Sequence, residues 1–303
     1  MARKSSKNAE YKDVPTVLDG KQKESYSFVD NERRLMVKQS NQLIQKFRHD
    51  LSNRTQYRMT MYLIAHAYNF DDNLIYWFDI KDFCRCCGID EDSGGNYRHL
   101  KDEMHKLRQK AVWFDVYGDP DVETMLAIVD HCWVYKKSGK IKVEIDYQMK
   151  PYILDLKRNW EENGIPYTQY LFLNTLPMKS LYSARLYELL LSWKKYADNN
   201  DGYIPAYDID ELKQLIDATT YTRYQDLRRF VLETAKREIN QYCNDINMDY
   251  TAEKDGGRAY KYIVFRISNK TVPEKLAAEK GTLTELDGTI HTWDKTTKGG
   301  EKE

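Results

Sequence analysis

The sequence predicts an α+β fold in which one unit, three helices followed by a β-hairpin, occurs twice in tandem between flexible N- and C-terminal tails. Three observations carry this. Helical segments of matching pattern recur at a nearly constant offset. Each third segment runs into β-rich sequence with a hairpin turn. The two ends, 1–30 and 271–303, are polar and lack an apolar period.

In chain order, residues 1–30 mix charges without apolar spacing and read as a flexible arm. The first copy opens on 57-YRMTMYLIAHAY-68, where Tyr57, Met61, Ile64 and Tyr68 share a helical face. The second opens on 182-YSARLYELLLSW-193, with Tyr182, Leu186, Leu189 and Trp193 in the same relation. Next come 78-FDIKDFCRCCGID-90 and 207-YDIDELKQLID-217, each starting aromatic-Asp-Ile, with the Asp placed to cap a short helix. Third are 97-YRHLKDEMHKLRQK-110 and 224-YQDLRRFVLETAKR-237. The three pairs start at offsets of 125, 129 and 127 residues, which indicates a duplicated unit.

After the third helix, 125-MLAIVDHCWVYKKSGKIKVEI-145 places two apolar stretches around KKSGK, a hairpin signal. In the second copy, 249-DYTAEKDGGRAYKYIVFRI-267 turns at KDGGR. Between the copies, Pro151, Gly164 and Pro166 interrupt helices and mark a connection. The division is therefore an N-terminal unit over 31–150, a C-terminal unit over 151–270 and a loose tail over 271–303. Three helices and a hairpin, twice, is the order of tandem winged helices, in which the third helix usually enters the DNA major groove.

Composition narrows the function classes. The 303 residues carry 47 Lys+Arg against 47 Asp+Glu, so any anionic partner must meet a local patch. No apolar run is long enough to span a membrane, and the N-terminus lacks the apolar core of a secretory signal. Five cysteines, three crowded at Cys84, Cys86 and Cys87, do not form a disulfide pattern and point to a reducing cytoplasm. Catalysis finds no support. There is no GxxxxGK[ST] phosphate loop, and His49, His66, His99, His105, His131 and His291 form no His-x-His pair. The Cys cluster lacks the second ligand pair of a zinc site, and Asp208-x-Asp210 is better explained by capping. No enzyme activity, cofactor or metal is expected.

The candidate chemistry lies in the third helices. In the second copy, Tyr224, Leu227, Val231, Thr234 and Tyr242 fall on one face, with Phe230 and Ala235 at its borders. Thr222, Gln225, Arg229 and Lys236 fall opposite, with Arg223 and Arg228 beside them. Arginine can donate two bonds to guanine and glutamine can pair with adenine, so the front of this helix suits base reading. Thr222 and Gln225 also have capping-box spacing, which would occupy them. A mixed solvated face is the plain alternative, because Asp226, Glu233 and Glu238 interleave with the bases. The hairpin favours DNA: Lys254, Arg258 and Lys261 surround its Gly-Gly turn and suit flanking phosphates. The first copy offers Arg98 and Lys101, with Asp102 and Glu103 among them.

The run 178-MKSLYSARLYELL-190, the segment 224-YQDLRRFVLETAKREIN-240 and the opening 37-VKQSNQLI-44 resemble the RepB-type (Rep_3) family of iteron-binding plasmid replication initiators. The similarity extends over about residues 35–268. It implies two winged-helix domains, the second the main reader of origin repeats and the first contacting neighbouring DNA and supporting dimers. It also implies a monomer–dimer equilibrium, a host initiator and a replicative helicase as partners, and no catalytic activity. The recognition helix then spans Thr222 to Lys236. A winged-helix transcriptional regulator without a replication role is the alternative. Tandem repeats beside the gene would favour an initiator, and a single palindrome a regulator.

Overall fold

The computed structural model describes residues 28–46, 53–71, 74–90, 95–116 and 119–288. The chain opens with α1 (Phe28–Arg33), β1 (Met36–Ser40) and α2 (Asn41–Lys46). Residues 1–27, most of the expected arm, lie outside the described residues.

The first unit follows. α3 (Arg54–Ala65) is capped by Asn53, whose side chain accepts from the Gln56 N–H. β2 (Ile75–Asp79) leads into α4 (Ile80–Cys86), where Asp79 accepts from the Lys81 N–H, as its position in the sequence predicts. Next come α5 (Asn96–Arg108), a hairpin of β3 (Ala111–Val116) and β4 (Asp119–Ala127), then β5 (Val129–Tyr135) and β6 (Lys140–Ile145). The KKSGK turn joins β5 to β6 as predicted. The β3–β4 hairpin is an element that the sequence reading leaves unassigned, and the second unit has no counterpart to it.

The connection holds α6 (Lys150–Ile153), α7 (Leu156–Asn163) and β7 (Tyr167–Leu171). Pro151 sits in the first turn of α6, where its missing N–H costs nothing, so it opens a helix rather than interrupting one. Tyr152, Ile153 and Leu156 are buried, α6 and α7 pack on β1, and β7 pairs antiparallel with β1 from Met36↔Leu171 to Ser40↔Tyr167.

The second unit repeats the first: α8 (Leu181–Ser192), a short α9 (Lys194–Asp198), β8 (Tyr207–Asp208) and α10 (Ile209–Leu215), with Asp208 capping through the Asp210 N–H. Then come α11 (Tyr224–Leu227), a π-type turn at Arg228–Leu232, α12 (Glu233–Tyr242), β9 (Ile246–Lys254) and β10 (Tyr260–Asn269). The antiparallel sheets have the same strand order, β2-β6-β5 and β8-β10-β9. In both, the short strand before the second helix pairs with the last strand of the hairpin.

The residues that carry the family resemblance serve the scaffold. Helix α8 is buried from Ser183 to Ser192, so each polar group on it needs a partner. Arg185 donates to the Ile216 carbonyl (2.9 Å), and the Tyr187 hydroxyl donates to Asp245 (2.5 Å). Glu188 accepts from Gln39 of β1 (2.7 Å) and from the Tyr170 hydroxyl of β7. In the REIN stretch, Glu238 accepts from the Lys179 and Ser180 N–H groups at the front of α8, a site that favours a carboxylate. Ile239 is fully buried, and Asn240 holds both backbone groups of Met248.

The tail expected to be loose from 271 instead forms α13 (Val272–Gly288). Glu274 reaches back across Pro273 to accept from both the N–H and the hydroxyl of Thr271 (2.7 Å each), the glutamate half of a capping box. Ala278, Thr282 and Leu286, one turn apart, are buried, and Thr282 donates to the Tyr242 carbonyl of α12. Glu279 pairs with Arg34, between α1 and β1. The stripe is narrow and two of its members are small, so the sequence shows little amphipathicity there. Residues 289–303 lie outside the described residues.

Candidate nucleic-acid interface

The second unit's third helix is one rod of three parts, α11, the π-type turn and α12. It begins after Arg223, the N-cap, which is extended (φ −96°, ψ 137°) and makes no capping bond with its side chain. Thr222 therefore lies before the cap and Gln225 in the first turn, out of register for a capping box. Both side chains are exposed. Arg223 pairs instead with Asp226 (2.7 Å).

A π turn holds one extra residue, so the side chains beyond it are rotated by about 100° against a regular helix. This changes the predicted inward face. Leu227, Val231, Leu232, Ala235, Ile239 and Tyr242 are buried, and Thr234 is only partly so. Phe230, expected at the border, is 47% exposed. Tyr221 stacks on it at 6.1 Å between centroids, and the Arg229 guanidinium lies 5.1 Å from its centroid. Arg228 and Arg229 both sit in this turn and both face solvent.

The cations differ in what engages them. Arg228 pairs with Glu233 (3.3 Å), and the Tyr250 hydroxyl donates to the same carboxylate (2.8 Å). That hydrogen bond, aided by Arg228, holds the Glu233 carboxyl below its ordinary value, and Glu233 in turn raises Arg228. Lys236 is half-buried and pairs with Asp249 (2.6 Å). In the wing, Lys261 pairs with Asp255 (2.7 Å), which holds its ammonium above the usual lysine range. Lys254 lies over the Tyr260 ring at 5.2 Å. Arg229 and Arg258 have no ion pair among the described residues, which leaves them ready for an outside acceptor.

Helix and wing meet at a cleft of about 450 Å³. Thr222, Arg223 and Gln225 line it from the helix and Arg258 and Lys261 from the wing, with Asp208, Asp210 and Lys213 at the second helix, and the Tyr224 and Tyr260 rings in its lining are 4.5 Å apart. Gly256 (φ +69°) allows the turn that carries Arg258 across. The structure thus brings together five of the predicted residues, while Arg228, Arg229, Lys236 and Lys254 lie outside this cleft. The aromatic set of Tyr221, Tyr224, Phe230 and Tyr260 was missed by sequence reasoning. The π turn that exposes Phe230 leaves no mark in a 3.6-residue period.

In the first unit, Arg98 and Lys101 are exposed on α5, with His105 and Arg108 continuing the same stripe. Asp102 is exposed too, but Glu103 points inward. It accepts from Asn53 (3.1 Å) and Gln56 (2.7 Å) at the front of α3 and pairs with Lys106 (2.7 Å). One of the two acids that seemed to dilute this helix is therefore internal. The three clustered cysteines are buried and none is in a disulfide, and burial pushes the Cys86 thiol well up. No described helix is long and apolar enough to cross a membrane.

Two family models match the chain: "Initiator Replication protein, WH1" over residues 36–191 and "Initiator Rep protein, WH2" over 208–267. Among solved structures, the chain is similar to one described as "Crystal structure of Pi initiator protein in complex with iteron DNA". The two share 19% identity and a TM-score of 0.59, over 78% of this chain and 98% of that one. No curated protein matches the sequence. The structural likeness shows a common fold, and the first family model alone spans more than half of the 303 residues. Two winged helices in tandem, together with these matches, place the chain in the family of initiator replication proteins, to which it belongs.

Proposed function

We propose that this initiator binds tandem repeats of duplex DNA at a plasmid origin and nucleates origin opening there. The second unit, over 151–270, leads. Arg228 and Arg229 address base edges from the front of the helix, with Thr222, Arg223 and Gln225 beside the groove. Lys254, Arg258 and Lys261 hold flanking phosphates, and Lys236 supports the rod from its pair with Asp249. The first unit, over 31–150, touches neighbouring backbone through Arg98 and Lys101. The observation that carries this reading is the cleft in which the front of the helix and the wing tip present cations from two sides. The solved relative with iteron DNA supports the choice of partner. A monomer–dimer equilibrium and recruitment of a host initiator and helicase complete the proposal, and membership of an initiator family does not favour a plain regulator.

The test is footprinting of the purified protein on the DNA flanking its own gene. The expected result is protection of tandem repeats with a common orientation, spaced by about two helical turns. Protection of one isolated palindrome would overturn the initiator reading, because site symmetry mirrors protein symmetry.

A further inference from the structure

The first unit's sheet carries an aromatic and basic outer face that the duplex reading does not use. Side chains alternate across β2, β6 and β5. Phe78, Ile141 and Val134 lie side by side on the inner face, packed with the core. The next row points outward: Trp77, Lys142 and Trp133 lie directly opposite one another on the three strands. One row nearer the turn, Lys140 and Tyr135 face the same way. Trp77 is 48% exposed, Trp133 38% and Tyr135 43%. Trp77 packs beside Tyr135 at 5.0 Å, and the Lys142 ammonium lies 3.9 Å from the Trp133 centroid. Lys136 and Lys137 extend the basic side from the turn, both exposed. One acid, Asp79, lies opposite Lys140 in this row, where it accepts from the Lys81 N–H, and Asp130 and Glu144 flank His131 at the far end.

The fold does not require these rings. The matching sheet of the second unit has the same strand order, and its outward pairs are Tyr262 with Glu253, Val264 with Thr251 and Arg266 with Asp249, an ordinary mixed surface. An exposed indole on a sheet gives up burial free energy without adding to the core. Two indoles, a phenol and four lysines on one open face match the chemistry of unpaired nucleic acid. Flat rings stack on bases of any sequence, and ammonium groups meet the phosphates that run beside them. Trp133 and Tyr135, two residues apart on β5, are about 7 Å from each other along the strand, room for neighbouring bases that are spread apart.

We propose that the outer face of the β2-β6-β5 sheet is a binding site for single-stranded DNA, with Trp77, Trp133 and Tyr135 as the stacking platform and Lys136, Lys137, Lys140 and Lys142 as its phosphate contacts. The lysines decide the occupant: at the turn end four ammonium groups stand beside one carboxylate, Asp79, which is already engaged with the Lys81 N–H, so a polyanion is attracted there.

The test uses the full chain and a short fluorescent oligothymidylate, followed by anisotropy and by quenching of tryptophan fluorescence. The expected result is saturable binding with strong salt dependence. Trp77→Ala with Trp133→Ala should weaken it about tenfold or more, while leaving affinity for duplex DNA unchanged as a check on folding. Trp133→Phe should retain most of the binding, because a smaller ring still stacks. Absence of oligothymidylate binding, or equal binding by the double variant, overturns the proposal. So does sedimentation showing that the double variant converts a dimer to a monomer, which would make the face a contact between copies.

Discussion

The third helices of the two units occupy equivalent places and solve the same packing problem differently. Each sends one buried glutamate to the front of its unit's first helix. In α5 it is Glu103, reaching Asn53 and Gln56. In α12 it is Glu238, reaching the Lys179 and Ser180 N–H groups. The two glutamates sit at different heights along their rods, and only the second rod contains a π turn. The regular helix presents Arg98, Lys101, His105 and Arg108 as a plain basic stripe. The bulged one places Arg228 and Arg229 together, beside an exposed phenylalanine and a basic wing. The lesson is that the inward residues and strand order persist through duplication because stability depends on them, while the outward residues are free to diverge.

The largest expected effect tests the joint between the units. Glu188 of α8 bonds Gln39 and Tyr170 on the central strands, and burial pushes its carboxyl up to about 7 against the lowering effect of those hydrogen bonds. A raised carboxyl pKa means that the folded protein keeps a proton that the unfolded chain has lost. Its contribution therefore lowers stability as pH rises from about 4.3 to about 7, by up to about 4 kcal/mol, and is constant above that range. Glu188→Gln should flatten this part of the pH profile of thermal unfolding. Parallel profiles for the two proteins would show that the carboxyl is ordinary.

Next comes the direct contrast of readers. Arg229→Ala should weaken binding to cognate repeats by about 1–3 kcal/mol and relax base preference at one position. Arg98→Ala should weaken all duplexes alike and by less. Gel shifts with cognate and scrambled repeats decide it, and equal losses for the two variants would erase the proposed division of labour. Smaller still, Lys254→Ala and Arg258→Ala should each reduce the slope of log affinity against log salt by about 1 and spare base preference. A loss confined to one base pair would make the wing a reader. Smallest is Arg223→Ala, where the exposed pair with Asp226 should be worth no more than about 0.5 kcal/mol in a melting experiment. A larger change would mean that Arg223 is needed to start the helix.

Much of this was legible in the sequence. The repeat offsets identify equivalent helices, Asp79 and Asp208 mark the second helices, and KKSGK and KDGGR mark the turns, because caps and turns are chosen by local chemistry. The front of the second unit's third helix was legible as a cluster of basic residues. Its engagement was not: the pairs of Arg228 with Glu233 and Lys236 with Asp249 join residues whose meeting depends on the hairpin or the π turn. The capping role offered to Thr222 and Gln225 failed by one residue of register. The helix at Val272–Gly288 escaped because its buried stripe is small, although Thr271, Pro273 and Glu274 spell a helix start.

By itself, then, the sequence determined the duplicated α+β order, the two hairpins and which helices carry cations, since periodicity, caps and turn residues act over a few positions. The tertiary structure alone decided which acids face inward, how the π turn rotates Phe230 outward beside the arginines, and that Trp77, Lys142 and Trp133 form one row. These depend on contacts between strands and helices far apart in the chain, and a local pattern carries no record of them.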